Sequence, residues 1–223
     1  MLKIQNETVL RSYKMTSDRG FAPNPYEGVL TLTTCKPGIR KCHKKGQWLA
    51  GFTSKTLNGD DIGNEKLVYL ARIDDKLPIE KYYEEYPAKR ICPSADNIYA
   101  VQNGILTLVN DAIHNEGHRE NDLAGRNVLI SQHYYYFGKD ALRICEKLRS
   151  KIKVPVGQAY YGWCTTGADA GVFIAWVIDK AQKVPPQCGM LGEPHGPVLP
   201  GKDATFVASS EYRSVYSSSK GCL

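Results

Sequence analysis

The sequence has no run of about 18 apolar residues, the length a helix needs to cross a bilayer. Its start, MLKIQNETVLRSYK, has no apolar stretch behind a basic one. A cytoplasmic protein with no membrane partner is therefore expected. The seven cysteines include no CxxC pair, and 223 residues are enough to bury a core without disulfide staples, so reduced thiols are expected. Nucleotide-binding fingerprints of the GxGxxG and GxxxxGK[ST] kinds are missing, as are the GxSxG, HExxH and HxE…PCxxC templates of common hydrolases and zinc deaminases. No internal repeat is visible.

What is present suits one large folded unit, with 42% hydrophobic and 23% charged residues. The formal charge of +6 permits an anionic partner but is equally compatible with ordinary solubility. Its distribution says more: Lys36–Lys45, KPGIRKCHKK, carries five basic residues and no acid, and Lys139–Lys153 carries six against two. Both stretches can face phosphate, or simply water.

Strands are expected in Thr8–Met15, Gly28–Cys35, the GQWLAGFTSK run, Leu67–Ile73, Gly104–Val109 and Asn127–Ser131, from their alternation and β-branched content. Leu57–Lys66 reads as an exposed hairpin tip, Pro78–Tyr86 as a short helix, Lys139–Lys151 as a surface helix and Ala168–Ala181 as a buried one. HNEGHRE, with His114 and His118, reads as a polar loop because Asn115 and Gly117 disfavour a helix there. From Val184 prolines accumulate and a serine-rich tail follows. The fold class expected is α+β, with a bent or barrel-like mixed sheet and a few packed helices. Residues 1–155 form the main unit, and 156–223 add a helix and a Pro/Gly/Ser-rich segment packed on it.

Three constellations can carry chemistry. In SDRGFAPNP, Pro23 and Pro25 stiffen a loop that presents Asp18, Gly20 and Asn24, groups suited to the edge of a flat heterocycle; a tight strand connection is the alternative. Cys35, Lys36 and Arg40 follow on the basic turn, and Trp48 offers a stacking plane beside them unless it is core. Arg126 and Ser131, in GRNVLIS, can hold phosphate, although Arg126 can instead pair with Asp122. Asp18 as acid or base and Cys35 as nucleophile are the catalytic candidates. Cys35 and Cys42 beside His43 evoke zinc but lack paired spacing. No metal or cofactor is expected.

DRGFAPNP (18–25), TCKPGIRK (34–41), GQWLAGFTSK (46–55), LVYLARI (67–73), DNIY (96–99) and GRNVLISQHYYYFG (125–138), in this order, resemble the family called nucleotide modification associated domain 2. The resemblance covers roughly residues 8–155. It implies an α+β domain of bacteria and their phages, associated with systems that modify nucleobases in DNA or respond to them. Carried onto this chain, its motif positions are Asp18, Gly20, Asn24, Pro25, Cys35, Lys36, Arg40, Trp48, Ser54, Asn97, Arg126, Ser131 and Phe137. One departure is Gln47, where the family's Gly-Asp-Trp turn has its carboxylate. The strand and loop order also resembles the barrel of pseudouridine-synthase-and-transglycosylase-like (PUA) and EVE domains, which hold modified bases.

The expected partner is thus a nucleotide or modified DNA base, with DNA itself possible and the oligomeric state open. Three readings compete: a module that binds the base or nucleotide, an enzyme acting on it through Asp18 or Cys35, and an interaction protein whose motifs are structural. The ligand readings require the proline loop, the basic turn and the Trp48 indole to line one cavity.

Overall fold

A computed structural model describes residues 8–157, 159–183 and 188–201. The strands are β1 (Val9–Lys14), β2 (Leu30–Leu32), β3 (Trp48–Phe52), β4 (Leu67–Arg72), β5 (Asp75–Pro78), β6 (Tyr99–Gln102), β7 (Ile105–Leu108), β8 (Asn127–Ser131), β9 (His133–Tyr136), β10 (Trp163–Thr166) and β11 (Gly189–Met190). The helices are α1 (Pro37–Cys42), α2 (Lys55–Asn58), α3 (Ile79–Glu85), α4 (Arg119–Ala124), α5 (Glu146–Arg149) and α6 (Gly167–Ala181). The architecture is α+β. A six-stranded mixed sheet runs β10-β1-β3-β4-β9-β11, a three-stranded sheet β2-β8-β5, and β6 pairs with β7. The barrel expectation is corrected: the large sheet stays open, with β10 and β11 as its edges.

Alternation along the strands divides the core. Ala170, Phe173, Ile174, Val177 and Ala181 form the i, i+3, i+4, i+7 stripe that seats α6 on one face of the large sheet, against Leu10, Trp48, Ala50, Phe52 and Leu70. Tyr13, Leu49, Val68, Tyr69, Tyr134 and Tyr136 face the other way, toward Leu30, Leu32 and Leu129 of the smaller sheet and Ile39 of α1. The candidate site lies in this second layer, between the sheets.

One row of cross-strand partners runs across that face: Tyr13 opposite Gly51, Gly51 opposite Tyr69, and Tyr69 opposite Tyr136. Gly51 makes the row possible, because a Cβ there would come within 2.3 Å of the Tyr69 ring and 2.6 Å of the Met15 sulfur. The space lets Tyr69 donate a hydrogen bond to the Tyr13 hydroxyl at 2.9 Å.

Two local expectations differ from the structure. Lys139–Lys151 is α-helical only at α5, after a 3-10 turn at Gly138–Asp140, because Leu142 is drawn into a backbone bridge with Leu67, extending the sheet where helical spacing predicted a surface helix. HNEGHRE, expected as a loop, contains a 3-10 turn at Glu116–His118 that leads into α4. The serine-rich tail, Cys222 and Val184–Pro186 lie outside the described residues. No described helix is long and apolar enough to cross a membrane.

Candidate functional site

The proline loop is tied down along its length. Asn24 and Thr31 exchange backbone hydrogen bonds at 2.8 and 3.0 Å, the Tyr134 hydroxyl donates to the Pro25 carbonyl at 2.7 Å, and Ser94 donates to the Arg19 carbonyl at 2.6 Å. The buried Lys89 ammonium donates to the Asn24 carbonyl and side-chain oxygen and to the Tyr26 and Val29 carbonyls, at 2.7–3.1 Å. Desolvation lowers the Lys89 pKa below the ordinary lysine value. A loop with this many anchors is ordered before anything binds.

At its start the loop buries the Asp18 carboxylate. One oxygen accepts from the Tyr136 hydroxyl; the other accepts from His195, through the backbone amide at 3.3 Å and Nδ1 at 2.8 Å. The Gly196 amide donates to the Asp18 carbonyl at 2.8 Å, so the last described segment lies across the proline loop. The His195 side chain is 10% exposed, and its Nε2 has no hydrogen-bond partner among the described residues.

Tyrosines surround this pair. Burial first, then Asp18, raises Tyr136 far above the ordinary phenol value. Tyr13 is raised by burial and Tyr69, with further contributions from both Cys35 and Asp18, so these two residues from different loops act on one phenol. Lys36, held at φ 56° ahead of α1, sets its ammonium 5.4 Å from the centre of the Tyr13 ring. Asp18, Cys35 and Lys36 are thereby gathered around the tyrosine row, and Gly20, at φ +68°, turns the loop past Tyr26.

The buried phenols have a measurable consequence. The folded values of Tyr13, Tyr69 and Tyr136 lie above the unfolded value near 10, so the folded state keeps protons that the unfolded chain releases. Their stabilisation is complete below pH 10 and falls as pH rises, by about 1.4 kcal/mol per tyrosine per pH unit while the folded phenols remain protonated. Phenolate absorbance from these three tyrosines should appear in one cooperative step, coincident with loss of far-ultraviolet circular dichroism. Complete ionisation of a still-folded chain near pH 10 would contradict this arrangement.

Other sequence candidates are engaged elsewhere. Trp48 is 9% exposed in the α6-facing core, opposite Leu10 and on the other side of the sheet from Tyr13, so the three-part cavity does not form and the ligand site expected from the sequence falls with it; a ligand reading has to rest on other groups. The correction follows from strand parity, which neighbouring cations do not reveal. Arg40 is wholly buried and donates to the carbonyls of Cys35 and Asn127 at 2.9 Å and to those of Thr34 and Asp122. Its guanidinium binds backbone where phosphate was expected. The Asn24 side chain donates to the Ser94 carbonyl at 3.0 Å besides accepting from Lys89. Ser54 caps α2 and donates to the Met15 carbonyl at 2.8 Å; Asn97 donates to the Tyr82, Tyr83 and Tyr86 carbonyls at the end of α3. Ser131 donates to the Arg72 and His133 carbonyls. Arg126 is exposed, at φ 59°, on the turn into β8; Asp122, its expected surface partner, is buried. Lys41, Lys44 and Lys45 of the basic turn face solvent.

Sequence reasoning missed His195, which joins Asp18 across 177 positions, and the partners of Cys35. The Cys35 Sγ lies 4.0 Å from His114 Nε2, and His114 Nδ1 lies 2.7 Å from Asp122 Oδ2. The one available signal was the His114–His118 spacing: the two rings stack 4.6 Å apart. No group of three or more His, Cys, Asp or Glu side chains among the described residues is placed to hold a metal ion.

Comparison with known proteins found no match among curated proteins and none among solved structures. The family model for nucleotide modification associated domain 2 matches residues 7–195, from the residue before the described N-terminal segment through the histidine that closes on Asp18. Its span takes in the proline loop, the tyrosine row, α6 and β11 alike, and the chain belongs to the nucleotide modification associated domain 2 family.

Proposed function

We propose that the protein binds a modified nucleobase or nucleotide in a bacterial or phage system of DNA base modification or defence, at the Asp18–His195 pair beside the tyrosine row. The observation that carries the reading is His195 Nε2, a ring nitrogen lacking a partner among the described residues and oriented by a carboxylate on the opposite nitrogen. A polar atom so fixed matches one hydrogen-bonding position on a base edge, and an anchored loop loses little entropy on binding. Lys36 supplies the nearby positive charge for a phosphate. Family membership supports the substrate class.

The test begins with mass spectrometry of nucleotides carried through purification, followed by titration of whatever is found. Asp18→Asn and His195→Ala, in chains that keep their thermal midpoint, are expected to weaken binding by about 10–100-fold, the worth of one or two charge-assisted hydrogen bonds. Lys36→Ala should act less strongly. Unchanged affinity in both Asp18→Asn and His195→Ala would remove the site. A single nucleotide should bind with little salt dependence, whereas a DNA duplex gripped along its phosphates loses affinity steeply as salt rises.

A further inference from the structure

From the alignment of Cys35, His114 and Asp122 we infer that Cys35 is a nucleophile, forming a covalent, reversible adduct with an electron-poor carbon of the bound base. The three side chains come from separate parts of the chain: the turn after β2, the loop ahead of the Glu116–His118 turn, and α4. All are buried, at 1%, 3% and 0% exposure. Asp122 Oδ2 accepts from His114 Nδ1 at 2.7 Å and from the Tyr99 hydroxyl at 3.0 Å. That acceptor places the imidazole proton on Nδ1 and leaves Nε2 as a base toward the thiol, the relation a nucleophile, base and orienting acid require.

The ring is held as well as oriented. Phe21, from the proline loop, packs against His114 with centroids 4.8 Å apart, and His118 stacks on it at 4.6 Å. Arg40 ties the ends of the arrangement together by donating to the backbone carbonyls of both Cys35 and Asp122. The tyrosine row connects this line to the proposed base site: Lys36, next to Cys35, sets its ammonium 5.4 Å from the Tyr13 ring, and the row runs through Tyr69 to Tyr136, which donates to Asp18.

The step balances without a co-reactant. The Sγ proton passes to His114 Nε2 as sulfur bonds to the electrophilic carbon, such as C6 of a pyrimidine. The carbon–carbon π pair moves toward the conjugated carbonyl, and the imidazolium returns its proton to the neighbouring carbon. The thiol has then added across one double bond, and the reverse sequence releases it. The identity of the electrophile rests on the nucleobase reading above; the activation of Cys35 does not.

The test is site-resolved alkylation of the full chain by iodoacetamide, read by peptide mass spectrometry from pH 5 to 9, with Cys145 as the exposed internal reference. An ordinary thiol is only about 0.3% thiolate at pH 6, so an activated Cys35 should exceed Cys145 at that pH by at least about tenfold. His114→Gln and, independently, Asp122→Asn should each remove the excess; thermal midpoints identify the variant that remains folded. Cys35 that is not labelled, or that follows the Cys145 pH profile in the wild type, or that keeps its excess in a folded His114→Gln or Asp122→Asn chain, overturns the inference. No nucleotide is present in this assay, so its failure is separate from a failure of base binding. Addition of the co-purified nucleotide should then slow Cys35 labelling; full binding without protection would overturn the adduct.

Discussion

Replacing Arg40 by leucine is expected to cost about 3–5 kcal/mol of stability, the range for a buried charged group removed from its partners. Arg40 is the largest fully buried side chain among the described residues, and its guanidinium serves the carbonyls of Thr34, Cys35, Asp122 and Asn127. Without it, four carbonyl acceptors from three elements lose their donors in the interior, where Gly125 packs so closely on the guanidinium that a Cβ would fall 2.2 Å from the Arg40 Cζ. Burial lowers the Arg40 pKa to about 10, leaving it charged at neutral pH. Arg40→Lys keeps the charge but not the planar fork and should recover only part of the loss. At roughly 2–4 °C per kcal/mol for a chain of this size, the leucine variant should melt about 6–20 °C lower. A shift below 3 °C would mean that the carbonyls find other donors. An anion-binding arginine would give the opposite pattern, with little change in melting and a large change in ligand affinity.

Lys89→Met should be nearly as damaging, at about 3 kcal/mol, but its effect should be local. The ammonium sits under the proline loop and holds Asn24, Tyr26 and Val29. Methionine fills the volume and provides none of the donors, so the loop loses its underside while β3 and β4 keep their pairing. Hydrogen exchange should accelerate across residues 18–30 and remain slow in β3 and β4. Uniform acceleration, or none, would show that Lys89 does not set the loop. Because Asp18 opens that loop, nucleotide binding should weaken in this variant even though Lys89 touches no ligand in the proposed site.

These two cations show where sequence reading reached and where it stopped. Short β-branched runs disclosed β1, β3, β4 and β8, and the apolar stripe from Ala170 to Ala181 disclosed α6, because each is governed by local periodicity. The same signals could not assign the role of Arg40: a basic residue in a basic turn looks alike whether it faces water or backbone carbonyls. Trp48, open in the sequence between stacking plane and core, is core for a related reason. Its neighbours in sequence are cations, but its neighbours in space follow from pairing with Leu10, and one residue of strand parity moves an indole from one side of a sheet to the other. Asp18 stands on a loop whose stiffness the prolines make legible; its contact with His195 is not legible, since nothing near that histidine in the sequence points to a carboxylate so far upstream. Cys35 stood out beside Lys36, whereas His114 and Asp122 become its partners only after α4 packs on α1.

The joining of Asp18 to His195 also fixes an order of events during synthesis. A chain still emerging from the ribosome can complete the cysteine line once α4 has appeared, but it must wait for nearly the whole family module before the histidine reaches its carboxylate. Clipping the backbone just ahead of His195 would accordingly separate the Asp18–His195 pair while Cys35, His114 and Asp122 stay on one fragment. Limited proteolysis thus offers a way to divide the two chemistries without altering a single side chain.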